Sequence, residues 1–463
     1  MSNGKVYLIG AGPGDPALLT CRAKQLLSEC DVVCYDKLVS AAILASVPAH
    51  VELHQVGYRG YQGCHIDYGM HPDVMAFALA GKSVARLKAG DPCIFGRTTE
   101  ECRDLIANDV PYEIVPGITA ALGAASYSGF PLTSGGVASS VTFVSGHQHS
   151  KTIASWGELG RAGGTLVLYM GAKKLAEHAK NLIANGRSPE TSVAFISSAT
   201  SADHHCITGT LANIGERVNM LEQTGPALVV VGDVVAQSKE FDWRKDLPFA
   251  GSRFLVCGSH DDLSQISNCG GEVINIPKLS TDSFIDEEDL HFFSIQQELA
   301  FDDLATFELW WQALNDYQWD IRKFSMPISS NDKFVRQALA QYGIRAEKAS
   351  KYALILTLDA GKAFGEQNNF YQIGRRISKP LGYDLPPVDW VLVEDIAVVE
   401  SIFEHHPEAL ANAKMVSLNE EVNHWALANG YISAEDIPYS ELVSYSKLIA
   451  SNHSADNECT HAA

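Results

Sequence analysis

The chain has 463 residues, 46% hydrophobic and 19% charged, so it is too long for one hydrophobic core and should fold as two or three globular domains. Lysine and arginine total 35 against 55 aspartates and glutamates; the net charge of -20 excludes nucleic acid and anionic membranes as general partners. No apolar run reaches the roughly eighteen residues of a membrane span and the N-terminus lacks a secretory pattern, so a cytoplasmic protein is expected.

From Lys5 to about Val235, short apolar runs alternate with helical segments. VYLIG, DVVCYD, VELHQVG, SVARLKAG, YEIVPG, VTFVSG, TLVLYMG, VAFISSA and ALVVVGDVV read as strands. Their apolar runs are continuous rather than alternating, as strands covered on both faces require. Helices are expected over Pro16–Glu29, Thr98–Asn108 and Lys173–Asn185, which makes the region α/β. Pro116-Gly117 is a natural break between two halves, and Ser238–Gly251 is a charged segment broken by Pro248 and Gly251, the signature of a linker. A second α/β unit follows, with SRFLVCG, EVINIP, YALILTL and VDWVLVE as strands. The last residues, SNHSADNECTHAA, are small and polar and are expected to be disordered.

Ten cysteines are scattered without a Cys-x-x-Cys pair, which argues for reduced thiols rather than a metal ribbon or disulfide framework. The pairs His147/His149, His204-His205 and His405-His406 lack carboxylates or thiolates at ligand spacing, so no metal is expected.

The loop after the first strand, Gly10-Ala11-Gly12-Pro13-Gly14-Asp15, approximates a dinucleotide fingerprint. Asp15 stands where the third glycine should be, and Pro13 removes a backbone N–H that would donate to phosphate. Asp36, closing the second strand, stands where an acid would hold a ribose, so NAD remains an alternative. Otherwise the loop suits close backbone approach to a ligand without phosphates.

GAGPGDP, LLT, YDKLVS, RLKAGDPCIFGR, VPGITAA, GFPLTS and GTLVLYMG occur in this order over about residues 4–240. The ordered set resembles the uroporphyrinogen-III C-methyltransferases. The resemblance implies an α/β, two-domain tetrapyrrole methylase fold, residues 1–117 and 118–240, with S-adenosylmethionine in the interdomain cleft, usually within a homodimer. It also implies transfer of methyl groups to two pyrrole carbons of uroporphyrinogen III, giving precorrin-2, without a metal. The implied cofactor contacts are Pro13, Ala89, Gly90, Asp91, Ile94, Thr119, Ala120, Met170 and Ala199. Catalytic roles fall on Asp36, Arg97, Glu100 and Met170, and substrate contacts on Lys37, Tyr58, Arg59, Arg97 and Glu100. The substrate has eight carboxylates; Arg86, Lys88 and Arg103 are further candidate cations, although Arg86 and Arg103 read equally as solvated charges.

Three stretches depart from the family pattern. Ala89 replaces a glycine, which matters only if the site needs a positive φ. Tyr58, in Val56-Gly57-Tyr58-Arg59, replaces a lysine, and Ser134-Gly135 replaces His-Arg. Both latter changes remove cations expected to face the substrate.

Past a linker at 241–251, residues 252–450 resemble more faintly the uroporphyrinogen-III synthases, two α/β lobes joined by a two-strand ladder; residues 451–463 form the tail. Hydroxyl-bearing turns of that family are shortened away near Phe301–Trp310 and replaced at Val393-Glu394-Asp395. Its Gly-Pro-x-Thr turns become Ser329-Ser330-Asn331-Asp332 and Leu418-Asn419-Glu420-Glu421. Carboxylates at helix N-termini repel a polyanion, so this unit is expected to keep the fold without cyclase activity. The alternatives are a bifunctional methyltransferase and synthase, or a non-catalytic tetrapyrrole-binding regulator.

Overall fold

The structure is a computed structural model. It describes residues 3–56, 69–146, 156–219, 225–258, 263–276, 279–363, 369–393 and 396–417, together with 428 and 433–434.

The first unit winds β1 (Val6–Gly10), α1 (Cys21–Glu29), β2 (Val32–Tyr35), α2 (Ala41–Ala45), β3 (Glu52–Gln55), α3 (Pro72–Leu79), β4 (Val84–Lys88), α4 (Thr98–Ala107) and β5 (Tyr112–Val115) into one sheet. Its strand order is β3-β2-β4-β1-β5 and every neighbouring pair is parallel. β1, β2 and β4 are buried on both faces, which is why their sequences read as unbroken apolar runs. The helix expected over Pro16–Glu29 is broken. Asp15 caps a 3-10 turn at Pro16–Leu18, and the Thr20 hydroxyl accepts from the Ala23 N–H to start α1 afresh.

α5 (Ala120–Tyr127) follows, and its Ala121, Ala124 and Ala125 pack on the second sheet. That sheet holds β6 (Val141–Ser145), β7 (Thr165–Tyr169), β8 (Ser192–Ser197), β9 (His205–Thr210) and β10 (Ala227–Val231) in the order β6-β7-β10-β8-β9. Only β6 and β7 pair in parallel. β9 was not anticipated, because it is a half-exposed edge strand whose sequence, HCITGT, lacks an apolar run.

The C-terminal unit contains β11 (Arg253–Cys257) and β12 (Glu272–Ile276), then crosses through β13 (Ser280–Ser283) to a second lobe. That lobe has a parallel sheet of β14 (Leu299–Phe301), β15 (Ile328–Ser329), β16 (Leu354–Thr357) and β17 (Phe370–Gln372). β18 (Gly374–Ile377) returns antiparallel to β13. β19 (Trp390–Val393), β20 (Lys414–Ser417) and β21 (Ser433–Ala434) then complete the first lobe's sheet, order β12-β11-β19-β20-β21.

The turn after Phe301 carries two carboxylates in place of hydroxyls. β14 runs into Asp302-Asp303, and the Asp303 carboxylate caps the helix Leu304–Asp316 by accepting from the Thr306 N–H at 2.8 Å. Asp332 likewise accepts from Val335 N–H, and Ser330 Oγ donates to the Phe301 carbonyl. Glu394, Asp395 and the 418–421 turn lie outside the described residues, as does the 451–463 tail.

Candidate active site

Five loops leave the carboxyl ends of strands and converge between the first two sheets: 11–15 after β1, 89–97 after β4, 116–119 after β5, 170–171 after β7 and 198–203 after β8. Ligands of open α/β sheets bind at such ends. Backbones meet here without side chains between them. Gly12 and Gly90 exchange reciprocal hydrogen bonds, N–H to carbonyl, at 3.1 and 2.8 Å. A Cβ on Gly10 would lie 2.5 Å from the Gly117 nitrogen, and one on Gly123 would lie 2.5 Å from Pro13 Cγ. Glycine is therefore required by close approach at these positions.

Asp91 ties two of the loops together. One carboxylate oxygen accepts from the Cys93 N–H at 2.8 Å and the other from the Gly117 N–H at 3.0 Å, so its role is to shape the site. Gly90 takes φ +72°, while Ala89 is not among the left-handed residues, so its methyl group introduces no backbone strain. Thr119 is buried, with its hydroxyl 2.8 Å from the Tyr169 phenol, which also accepts from the Ala121 N–H. The Tyr169 ring packs 5.0 Å from Phe95, bringing loop 170–171 to loop 89–97. Asp15 N–H donates to Thr200 Oγ1 at 3.1 Å, placing loop 198–203 against the glycine loop. Of seven non-glycine residues with left-handed φ among the described residues, five lie on these loops: Phe95, Arg97, Met170, Ser198 and Thr200. Strain of that kind collects where a ligand site over-determines the backbone.

The structure thus brings together Pro13, Ala89, Gly90, Asp91, Ile94, Thr119, Ala120, Met170 and Ala199. Met170 is exposed at the rim. Arg97 is exposed in the residue before α4, and Glu100 lies in that helix's first turn. Lys37 is exposed beside Asp36. Tyr58 and Arg59 lie outside the described residues.

Two candidate cations must be reassigned. Arg86 and Lys88 are 6% and 5% exposed, on the same face of β4, and not solvated. Arg86 Nη2 bonds Asp36 at 2.5 Å and its Nε bonds Glu101 at 3.3 Å, while Lys88 Nζ bonds both Glu101 oxygens at 2.7 and 2.8 Å. Burial opposes the charge on Arg86, but Asp36 and Glu101 more than offset it and raise its pKa. Burial and the adjacent guanidinium push the Lys88 ammonium below its usual range despite Glu101. The four charges cancel, so neither cation faces outward to bind substrate. Their signal was present in the sequence, since Arg-x-Lys inside an otherwise apolar central strand must put both heads under one cover.

Sequence reasoning also missed Glu101, Tyr169 and His178. The last is 1% exposed beneath Gly146 and Gly171, its ring nitrogens have no partner among the described residues, and burial lowers its pKa. His204 sits under α5 against Ser128, and His406 accepts from the Leu381 N–H. Among the described residues no cluster of three or more metal-ligating side chains occurs.

A sequence model of the Tetrapyrrole (Corrin/Porphyrin) Methylases matches residues 5–215. The S-adenosyl-L-methionine-dependent uroporphyrinogen III methyltransferase of Methanosarcina barkeri is 43% identical over 237 residues, 50% of this chain and 92% of that protein. The chain belongs to the tetrapyrrole methylases. The siroheme synthase of Acinetobacter baylyi is 42% identical over 241 residues, and this methylase chain spans about half of that relative's length, 53%. Uroporphyrin-III C-methyl transferase from Thermus thermophilus, solved with S-adenyl homocysteine, is 37% identical; the match covers 50% of this methylase chain and 99% of that one, at a TM-score of 0.44. The matched regions lie in the first half, where all five loops are found.

A cavity of about 970 Å³ lies between the first sheet unit and the C-terminal unit. Asp15, Tyr127, Thr200, Arg244, Glu272 and Tyr383 line it, so it borders two of the cleft's loops, while Gly90, Thr119 and Met170 are not on it.

Proposed function

We propose that the chain is an S-adenosylmethionine-dependent methyltransferase that methylates uroporphyrinogen III at two pyrrole carbons to give precorrin-2. The observation that supports it best is the cleft of five strand-end loops built from backbone and small residues, in a chain of this family. The residues fit the cofactor: glycines clear the approach, Pro13 withholds a phosphate donor, and Asp91 shapes the loop from within. Pro13, Gly90, Ile94, Thr119, Ala120, Met170 and Ala199 would hold it. When bound, S-adenosylmethionine supplies an electrophilic methyl group. The pyrrole carbon is already electron-rich, so the protein's task is mainly positioning. Arg97 and Glu100, beside the cleft at the start of α4, would grip a substrate carboxylate and a pyrrole N–H. Asp36 would orient further N–H groups, its charge held in place by Arg86. We read the protein as a cytoplasmic homodimer of siroheme- or cobalamin-type biosynthesis.

Full-length protein incubated anaerobically with S-adenosylmethionine and uroporphyrinogen III should yield a product two methyl groups heavier, followed by mass and absorbance. No methyl gain while the cofactor still binds would redirect the cleft to another substrate or to a binding role.

The two lobes and the β13–β18 ladder favour a synthase-like origin for the C-terminal unit. Its cyclase activity is nonetheless expected to be lost. Asp303 and Asp332 cap the helices that a substrate carboxylate would approach, and Lys362 is paired with Asp302. Formation of the type III isomer from hydroxymethylbilane by the full-length chain, without S-adenosylmethionine, would overturn this.

A further inference from the structure

Two cofactor loops are tied to parts of the chain that lie outside the methylase match. On the first, the Asp15 carboxylate accepts from the Tyr127 hydroxyl at 2.5 Å. Tyr127 is in turn held by the linker, with the Arg244 guanidinium over its ring at 4.8 Å and Trp243 edge-on at 5.6 Å. Trp243 donates to the Ser126 carbonyl at 2.9 Å, and Arg244 reaches on to the Gly270 carbonyl at 3.3 Å. Burial raises the Tyr127 pKa, and its bond to Asp15 adds to the effect, so the phenol keeps its proton.

On the second loop, Glu272 of β12 accepts from the Ala202 N–H at 2.7 Å. Arg253, 5% exposed at the start of β11, binds the same Glu272 oxygen at 3.0 Å and Asp203 at 2.7 Å. Its backbone N–H and its remaining guanidinium nitrogen are fixed by Asp389 and the Pro387 carbonyl. The loop so held contains Ser198 and Thr200, both left-handed at φ 45° and 69°. Non-glycine residues in that region cost about 1–3 kcal/mol each and persist only where their surroundings over-determine them. Two contacts on that loop, at Ala202 and Asp203, come from β12 and β11.

We infer that the linker and C-terminal unit brace the cofactor cleft: Glu272 and Arg253, and Arg244 acting through Tyr127, are positioning residues for the loops that bear Ala199 and Pro13. The inference rests on the reading that this cleft takes S-adenosylmethionine. It gives the C-terminal unit a task that needs no cyclase chemistry. Ordering both loops in advance lowers the cost of binding, so the effect falls on affinity rather than on the transfer step.

The test is calorimetric titration of S-adenosylmethionine into the full-length chain, unaltered and as Tyr127→Phe, Glu272→Ala and Glu272→Gln. Tyr127→Phe keeps the ring under Arg244 and removes only the bond to Asp15, so folding is spared. Arg375→Ala serves as the control, because it breaks an exposed ion pair with Asp282 on the ladder, away from both loops. Tyr127→Phe and Glu272→Ala should each weaken binding about fivefold or more. The KM for S-adenosylmethionine should rise while kcat at saturation stays, and Glu272→Gln, which keeps an acceptor for Ala202, should recover part of the loss. Arg375→Ala should bind as the unaltered chain does. Equal binding by all variants, with the unaltered chain binding normally, overturns the brace alone; no binding by the unaltered chain overturns the functional reading and the brace with it.

Discussion

Arg97 stands just before α4 on a left-handed backbone, φ 57°. Glycine accepts that backbone without strain while deleting the charged group, so Arg97→Gly should still unfold cooperatively in calorimetry and sharply reduce methyl transfer. A parallel loss of stability and activity would make the residue structural. Glu101 is the opposite case. It neutralises Arg86 and Lys88 in the interior, and Glu101→Ala should cost about 3–5 kcal/mol by leaving two buried cations with one carboxylate, read as a lowered first calorimetric transition. The role of Glu101 was not legible in FGRTTEE, because which of two adjacent glutamates faces the core depends on where β4 lies under α4.

The loops and strands were legible as elements, since apolar runs ending in glycine announce buried parallel strands and tight exits. Which glycines are irreplaceable was not. A Cβ on Gly117 would press on the Gly90 carbonyl and lie 2.8 Å from Gly10 Cα, so Gly117→Ala should abolish cofactor binding in titration calorimetry. Nothing lies within 4 Å of a Cβ on Gly135, and its φ is not left-handed. Gly135→Arg should therefore fold within about 0.5 kcal/mol of the natural chain and, by restoring a cation, lower the KM for uroporphyrinogen III. Ala89→Gly should bring no gain in activity, because that position does not use a positive φ.

At the scale of the whole molecule, the linker is a docked segment. Its Asp242 backbone lies where a Cβ on Gly129 would be, and Gly382 accepts from the Tyr35 hydroxyl while Tyr383 enters the core of the first unit. His204 lies beneath this junction. Burial, then Arg244 and His205, lower its pKa to about 4 against the opposing pull of Asp242. The unfolded chain takes up a proton near pH 6.5 that the folded chain refuses until about pH 4. Stability should therefore fall as pH drops through that window, by up to about 3 kcal/mol, and His204→Gln should flatten the slope of unfolding midpoint against pH.

The sequence carried the α/β class of both halves, the order of the strand-end loops and the family, because continuous apolar runs and glycine turns are local signals repeated in a fixed order. It also held the residues of the buried charge network in plain view without revealing their pairing. The folded chain alone reveals that Arg86 and Lys88 are neutralised inside, that Ala89 brings no left-handed strain, and that the C-terminal unit contacts the loop after β8. Each of these depends on contacts between residues thirteen to well over a hundred positions apart, or on a backbone angle set by such contacts, and no local pattern encodes them.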